Sequence, residues 1–147
     1  MATGDALGNT FENDIAKLIF QAVAIANIAD NAATSPLTNL YVALHTADPG
    51  EAGDQTTSEI AYTGYARVAV VRSAAGWTVT NNSVSPAAAI TFGAMTAGVG
   101  GTVTHASVGV AASAASKILV YGTVTPNISV VSGVTASLPT TTAITFN

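Results

Sequence analysis

The side chains able to do chemistry in this sequence are few. His45 and His105 are the only imidazoles, all eight carboxylates lie between Asp5 and Glu59, and the four cations are Lys17, Arg67, Arg72 and Lys117. There is no cysteine, which excludes disulfides, thiolate metal sites and cysteine nucleophiles. Serine and threonine abound, but none stands in Gly-x-Ser-x-Gly. A hydrolytic triad would have to draw its base and acid from the two histidines and the front-half carboxylates. Gly98-Val-Gly-Gly101 lacks the Lys-Ser/Thr of a phosphate-cradling loop and reads as a turn. These residues give no catalytic constellation, and an enzyme is not expected.

The densest chemistry is the segment from Asp48 to Glu59. Asp48, Gly53 and Glu59 stand at the first, sixth and twelfth positions of an EF-hand-like loop. Positions three and five are Gly50 and Ala52, with no side-chain oxygen, and the segment follows a strand-like run where the motif demands a helix. An exposed acidic loop is the expectation, with no cofactor or metal. A transition-metal site joining His45 and His105 to Asp48 or Glu51 would need tertiary proximity that no helical spacing supplies. Each histidine reads better as a strand residue whose ring bonds a backbone group. Trp77, Tyr41, Tyr62, Tyr65 and Tyr121 would suit a sugar-stacking platform, but aromatics in or beside strands more often serve packing.

Composition limits the partners. Hydrophobic residues make up 49% of the 147-residue chain and charged residues 8%, against a charged share of about 25% in ordinary domains. The surface must therefore be skinned by Thr, Ser and Asn or covered by other chains. A net charge of −4 argues against binding nucleic acid, which needs several cations to displace phosphate counterions. Residues 15–29 are broken by Lys17, Gln21 and Asn27 and are too short to span a bilayer, and Met1 to Gly8 lacks a signal peptide's basic start. A non-exported chain that binds neither nucleic acid nor membrane is expected.

Periodicity places these residues on elements. Ile15, Leu18, Ile19, Ala22, Ile25, Ala26 and Ala29 recur at spacings of three and four, predicting an amphipathic helix capped by Asn9 with Glu12, which fades near Asn31 before Ser35-Pro36. Beyond it the period changes. Strand-like runs occur at 40–44, 65–72, 77–80, 89–92, 102–110, 117–124, 128–131 and 143–146, separated by Gly, Pro and Asn. Arg67 interrupts one run and is expected to face out or pair; Ala111–Ser116 is left between a helical turn and a loop. One domain of residues 1–147 is expected: a helical segment over 1–35, then an antiparallel β-sandwich over 36–147.

The run Leu40-Tyr-Val-Ala-Leu-His-Thr-Ala-Asp-Pro-Gly-Glu-Ala-Gly53, then Glu59 and Tyr62-Thr-Gly-Tyr-Ala-Arg67, resembles a family of small tailed-bacteriophage virion proteins. Ala89-Ile-Thr-Phe92, Gly101-Thr-Val-Thr-His105 and Leu119-Val-Tyr-Gly122 follow in the same order, so the likeness covers roughly residues 40–146. Gly100 and Val134 depart from that pattern. Members are head decoration (cement), minor tail or tail-fibre proteins. The resemblance implies a jelly-roll-like sandwich forming symmetric oligomers, with no catalytic residue. It makes a capsid decoration protein the first expectation: a homotrimer on the outer surface of the phage head, bridging major capsid protein subunits, present in the host cytoplasm during assembly. A minor tail or tail-fibre protein that engages tail proteins and takes part in host attachment is the alternative. Interface candidates are Ile15, Leu18, Asp48, Glu51, Tyr65 and Arg67, the last two because Tyr and Arg are favoured at hot spots.

Overall fold

Alternation along the strands decides which residues meet. The computed structural model describes residues 6–21, 23–29, 37–81 and 83–145. The chain begins with a short strand β1 (Ala6–Leu7) and a helix α1 (Asn9–Gln21), followed by β2 (Asn39–His45), β3 (Val68–Val71), β4 (Trp77–Thr80), β5 (Ser83–Pro86), β6 (Ile90–Thr91), β7 (Gly101–Gly109), β8 (Ile118–Val130), β9 (Ser137–Leu138) and β10 (Ile144–Thr145). Every pairing is antiparallel, in a five-stranded sheet of order β1-β8-β7-β2-β3, a three-stranded sheet β10-β5-β4 and a ribbon β6-β9. The mainly β, antiparallel architecture is established; the strand order does not establish jelly-roll winding.

In the large sheet Val68, Val42, Val108, Val120 and Leu7 are successive cross-strand partners, a row of aliphatic side chains running from one edge to the other. β-branched residues suit such a pleated face. In the small sheet Val79, Val84 and Ile144 form the matching row, while Thr78, Thr80, Ser83, Ser85 and Thr145 turn the other way. Apart from Val79, which is exposed at the sheet edge, the two apolar rows share one core with Ile90, Phe92, Val103, Val124, Val130 and Leu138. The hydroxyl residues of the small sheet form an uncharged outer skin.

Three sequence expectations change. The helix stops at Gln21; residues 25–29 are a tight turn closed by mutual Ile25 and Ala29 backbone bonds, with Asn27 at φ 64°. The three-four spacing continues through that turn because Ile25 is buried there at 4% exposure, so the pattern tracked burial across two kinds of backbone. Ala22 and 30–36, including Ser35-Pro36, lie outside the described residues. Asn9 is the first helical residue, and Gly8 precedes it, its carbonyl accepting from Phe11 and Glu12. Finally, the runs at 117–124 and 128–131 are one strand. Opposite Thr104, the β8 partner jumps from Ile128 to Thr123, and the surplus residues hold Pro126, which lacks an N–H and is tolerated at such a bulge.

Candidate functional site

Residues Tyr41, Ala43 and His45 of β2 point to the second face of the large sheet, and the loop of residues 46–59 lies against it. Pure sequence alternation puts a histidine in this covered position, where it has no exposure. Its Nδ1 is 2.8 Å from the Thr57 carbonyl oxygen. A carbonyl only accepts, so Nδ1 carries the proton and Nε2 accepts from the Ser107 hydroxyl, 2.8 Å away. Ser107 Oγ in turn accepts from Gln55 Nε2 at 3.4 Å, and that nitrogen also donates to the Tyr41 carbonyl at 2.9 Å. Gln55 Oε1 accepts from Ser116 Oγ at 2.6 Å and from Arg67 Nη1 at 3.3 Å. Burial disfavours the charged imidazole and lowers the His45 pKa. Neutral His45 is the form this chain of donors requires.

Gln55 lies flat on β7 because position 109 is glycine: a Cβ there would be 2.2 Å from the Gln55 side-chain carbon and oxygen. Close approach of a side chain to backbone is what fixes this glycine.

Arg67 occupies the centre of the same network at 7% exposure. Its Nε and Nη2 each lie 2.8 Å from one oxygen of Glu59, the bidentate geometry that matches guanidinium to carboxylate. The remaining N–H groups reach Ala114 O at 2.9 Å and Ala111 O at 3.1 Å, with Ser116 Oγ at 3.4 Å. Every donor of the guanidinium is thereby used within the chain. The Glu59 hydrogen bond leads in raising its pKa. Tyr65 donates its hydroxyl to Glu59 at 2.9 Å and accepts from the Leu44 N–H at 3.1 Å; burial drives its pKa upward. Ala111–Ser116 is an irregular turn whose carbonyls point at the arginine.

The arrangement clamps a loop. His45 and Ser107 sit at nucleophile-base distance, but both are sealed at 0% exposure, and Nδ1 is held by a backbone carbonyl where a triad needs a carboxylate. His45 does bond a backbone group; His105, its cross-strand partner, instead has Nδ1 2.9 Å from Thr104 Oγ1. The loop carboxylates serve the backbone: Asp48 Oδ1 accepts from Gly50 N–H at 2.8 Å, and Asp54 Oδ1 from Thr56 N–H at 2.7 Å. The Thr56 hydroxyl bond is the leading cause that lowers the Asp54 pKa. Among the described residues no group of three His, Asp or Glu side chains is placed to hold a metal.

Of the six interface candidates, Asp48 and Glu51 are exposed at the loop tip, and Ile15 is half-buried on α1. Leu18 is on the same helix, its side chain outside the described set. Tyr65 and Arg67 face inward. The helix is tied to the body by Asn9 N–H donating to Glu51 O at 3.0 Å and by an Asp14–Lys117 ion pair. The aromatics do not assemble into one platform. Tyr62 and Tyr65 pack with ring centroids 5.4 Å apart, Tyr65 stacks on Phe92, and the Tyr62 hydroxyl donates to Gly93 O. Trp77 lines a separate apolar groove of about 280 Å³ between the sheets, with Leu7, Phe11, Leu40 and Val79. Gln55, Ser107, Gly109 and Ser116 were not singled out from sequence, since nothing in their spacing joins positions up to 61 residues apart.

The β-sheet body thus encloses His45 and Ser107 and braces its loop through Gln55 and Arg67. Residues 6–145 match the family described as Podophage GP4 fiber I protein gp80, and the chain belongs to that family. It is a structural protein of the bacteriophage virion. The match starts at residue 6 and takes in α1, which the resemblance over residues 40–146 left out. A fibre family favours the tail reading over capsid decoration. No curated protein matches the chain.

Proposed function

We propose that this protein is a tail-fibre component that takes part in host attachment by packing against tail proteins and copies of itself. The observation that carries this reading is membership, over nearly the whole chain, of a family described as a phage fibre. The exposed loop tip with Asp48 and Glu51, and α1 with Ile15 and Leu18, supply the contacts. Tyr65 and Arg67 act from behind, holding that loop in one conformation so that little ordering entropy is lost on docking. Copies associate in a closed assembly, a trimer in the simplest case.

Copy number tests the position. Quantitative mass spectrometry of purified virions is expected to give roughly three to a dozen copies, as closed rings on a tail require. On the order of hundreds of copies, the stoichiometry of a shell, overturns the proposal.

A further inference from the structure

β4 ends its sheet, with no described strand on its outer side. Edge strands are usually blunted by charge, proline or a bulge. Trp77-Thr-Val-Thr80 has none of these, and Val79 is 67% exposed. The ladder fixes which backbone groups face outward. Ala87 N–H donates to Gly76 O at 2.9 Å, so the closely bonded pairs are Gly76/Ala87, Thr78/Ser85 and Thr80/Ser83. Val79 therefore turns both its N–H and its C=O away from β5.

We propose that β4 is the contact between two copies of this chain, joined edge to edge about a two-fold axis through Val79. Opposed residues of an antiparallel pair share a face, and a two-fold axis normal to the sheet preserves faces. Copies must therefore oppose residues an even number apart. Centring on Val79 pairs its outward N–H and C=O with those of its counterpart, closing two hydrogen bonds. Centring on Thr78 would oppose Val79 to Trp77, whose N–H is already given to Ser73 O at 3.0 Å. Centring on Thr80 would oppose Val79 to Asn81, which leaves strand conformation at φ 56°. In the Val79 register, Thr78 faces Thr80 of the second copy, and no charge meets a like charge. The occupant is a second copy because this edge is self-complementary in hydrogen bonding, face and charge. The two valines meet on the side that lines the apolar groove, so pairing continues the covered face from one copy into the next.

This inference rests on the self-association proposed above and adds where copies touch; a two-fold contact combines with a ring into a dihedral assembly. Light scattering of the full chain is expected to give an even multiple of the 14.6 kDa protomer. Val79→Lys, which opposes two like charges, and Val79→Pro, which removes an N–H that β5 does not use, are each expected to halve that mass with unchanged circular dichroism. Deuterium exchange of the Val79 amide in the assembled wild type is expected to be at least tenfold slower than in the dilute protomer, a measurement that does not depend on either variant folding. Fast exchange in the assembly, or a mass that neither folded variant reduces, overturns the β4 contact and leaves self-association standing. A lone chain at every concentration overturns both.

Discussion

Replacing Arg67 by Met keeps an unbranched apolar stem, shorter by the outer part of the guanidinium, and deletes the charge and five N–H groups. Glu59 loses both bonds of its bidentate partner while its side chain remains only 16% exposed, and the Ala111 and Ala114 carbonyls lose theirs. Breaking a buried pair by removing one partner costs about 3–5 kcal/mol, because an uncompensated charge stays behind. The lower part of that range applies, about 3 kcal/mol, since Glu59 retains the Tyr65 hydroxyl and some water. In a chain of this size that lowers the midpoint of thermal unfolding by about 10 °C. The double variant Arg67→Met with Glu59→Met removes the stranded charge and is expected to recover more than half of the loss, since an apolar pair of similar volume replaces the ions. Urea unfolding followed by circular dichroism, at fixed protomer concentration because assembly adds to stability, measures both. A single-variant cost under about 1 kcal/mol, or a double variant whose cost is the sum of the singles, refutes the reasoning that the pair is one coupled unit.

Three further outcomes follow from the same geometry. His45 is held neutral, its folded pKa below the unfolded 6.5; as pH falls below 6.5 the unfolded chain takes up a proton that the folded one does not, so stability drops, by at most about 1.4 kcal/mol per pH unit, until the folded pKa is passed. Urea midpoints between pH 7 and 5 should show that slope, and His45→Gln should lack its histidine component. Gly109→Ala forces Gln55 off β7 and is expected to cost about 1–3 kcal/mol by overpacking, with little further loss when Gln55→Ala is added, as read by chemical denaturation. Asp14→Asn breaks the Lys117 pair, whose side chains are 28% and 30% exposed, and should cost under about 1 kcal/mol in the same assay.

Much of the body is legible in the sequence. Leu40 to Leu44 reads as a strand because it is a short apolar run of strand length, and Trp77 to Thr80 and Thr102 to Val110 because alternation of apolar and hydroxyl residues carries the signal locally. β1, β5 and β9 were hidden: Ala6–Leu7 and Ser137–Leu138 are too short to show a period, and Ser83–Pro86 is polar, with its proline at the strand end. Arg67 was expected to face out or pair, and it pairs; that its partners are Glu59 and the carbonyls of an alanine-rich turn is a long-range fact no spacing encodes. The clamp was unreadable for the same reason, since Ser107 and Ser116 are ordinary polar residues until the fold brings them to the Gln55 amide, and Gly109 an ordinary glycine until that amide lies on it. The helix was overextended past Gln21 because Ile25 is as buried in its turn as it would be on a helix face.

The hydroxyl skin formed by Thr78, Thr80, Ser83, Ser85 and Thr145 has a physical consequence. A face without formal charge attracts no counterion cloud, so bringing another neutral surface against it displaces few ions and is little affected by screening. Adhesion through such a face keeps its strength in dilute fresh water and in concentrated brine alike, a useful property for a particle that leaves one cell's interior and must hold together in whatever medium surrounds the next.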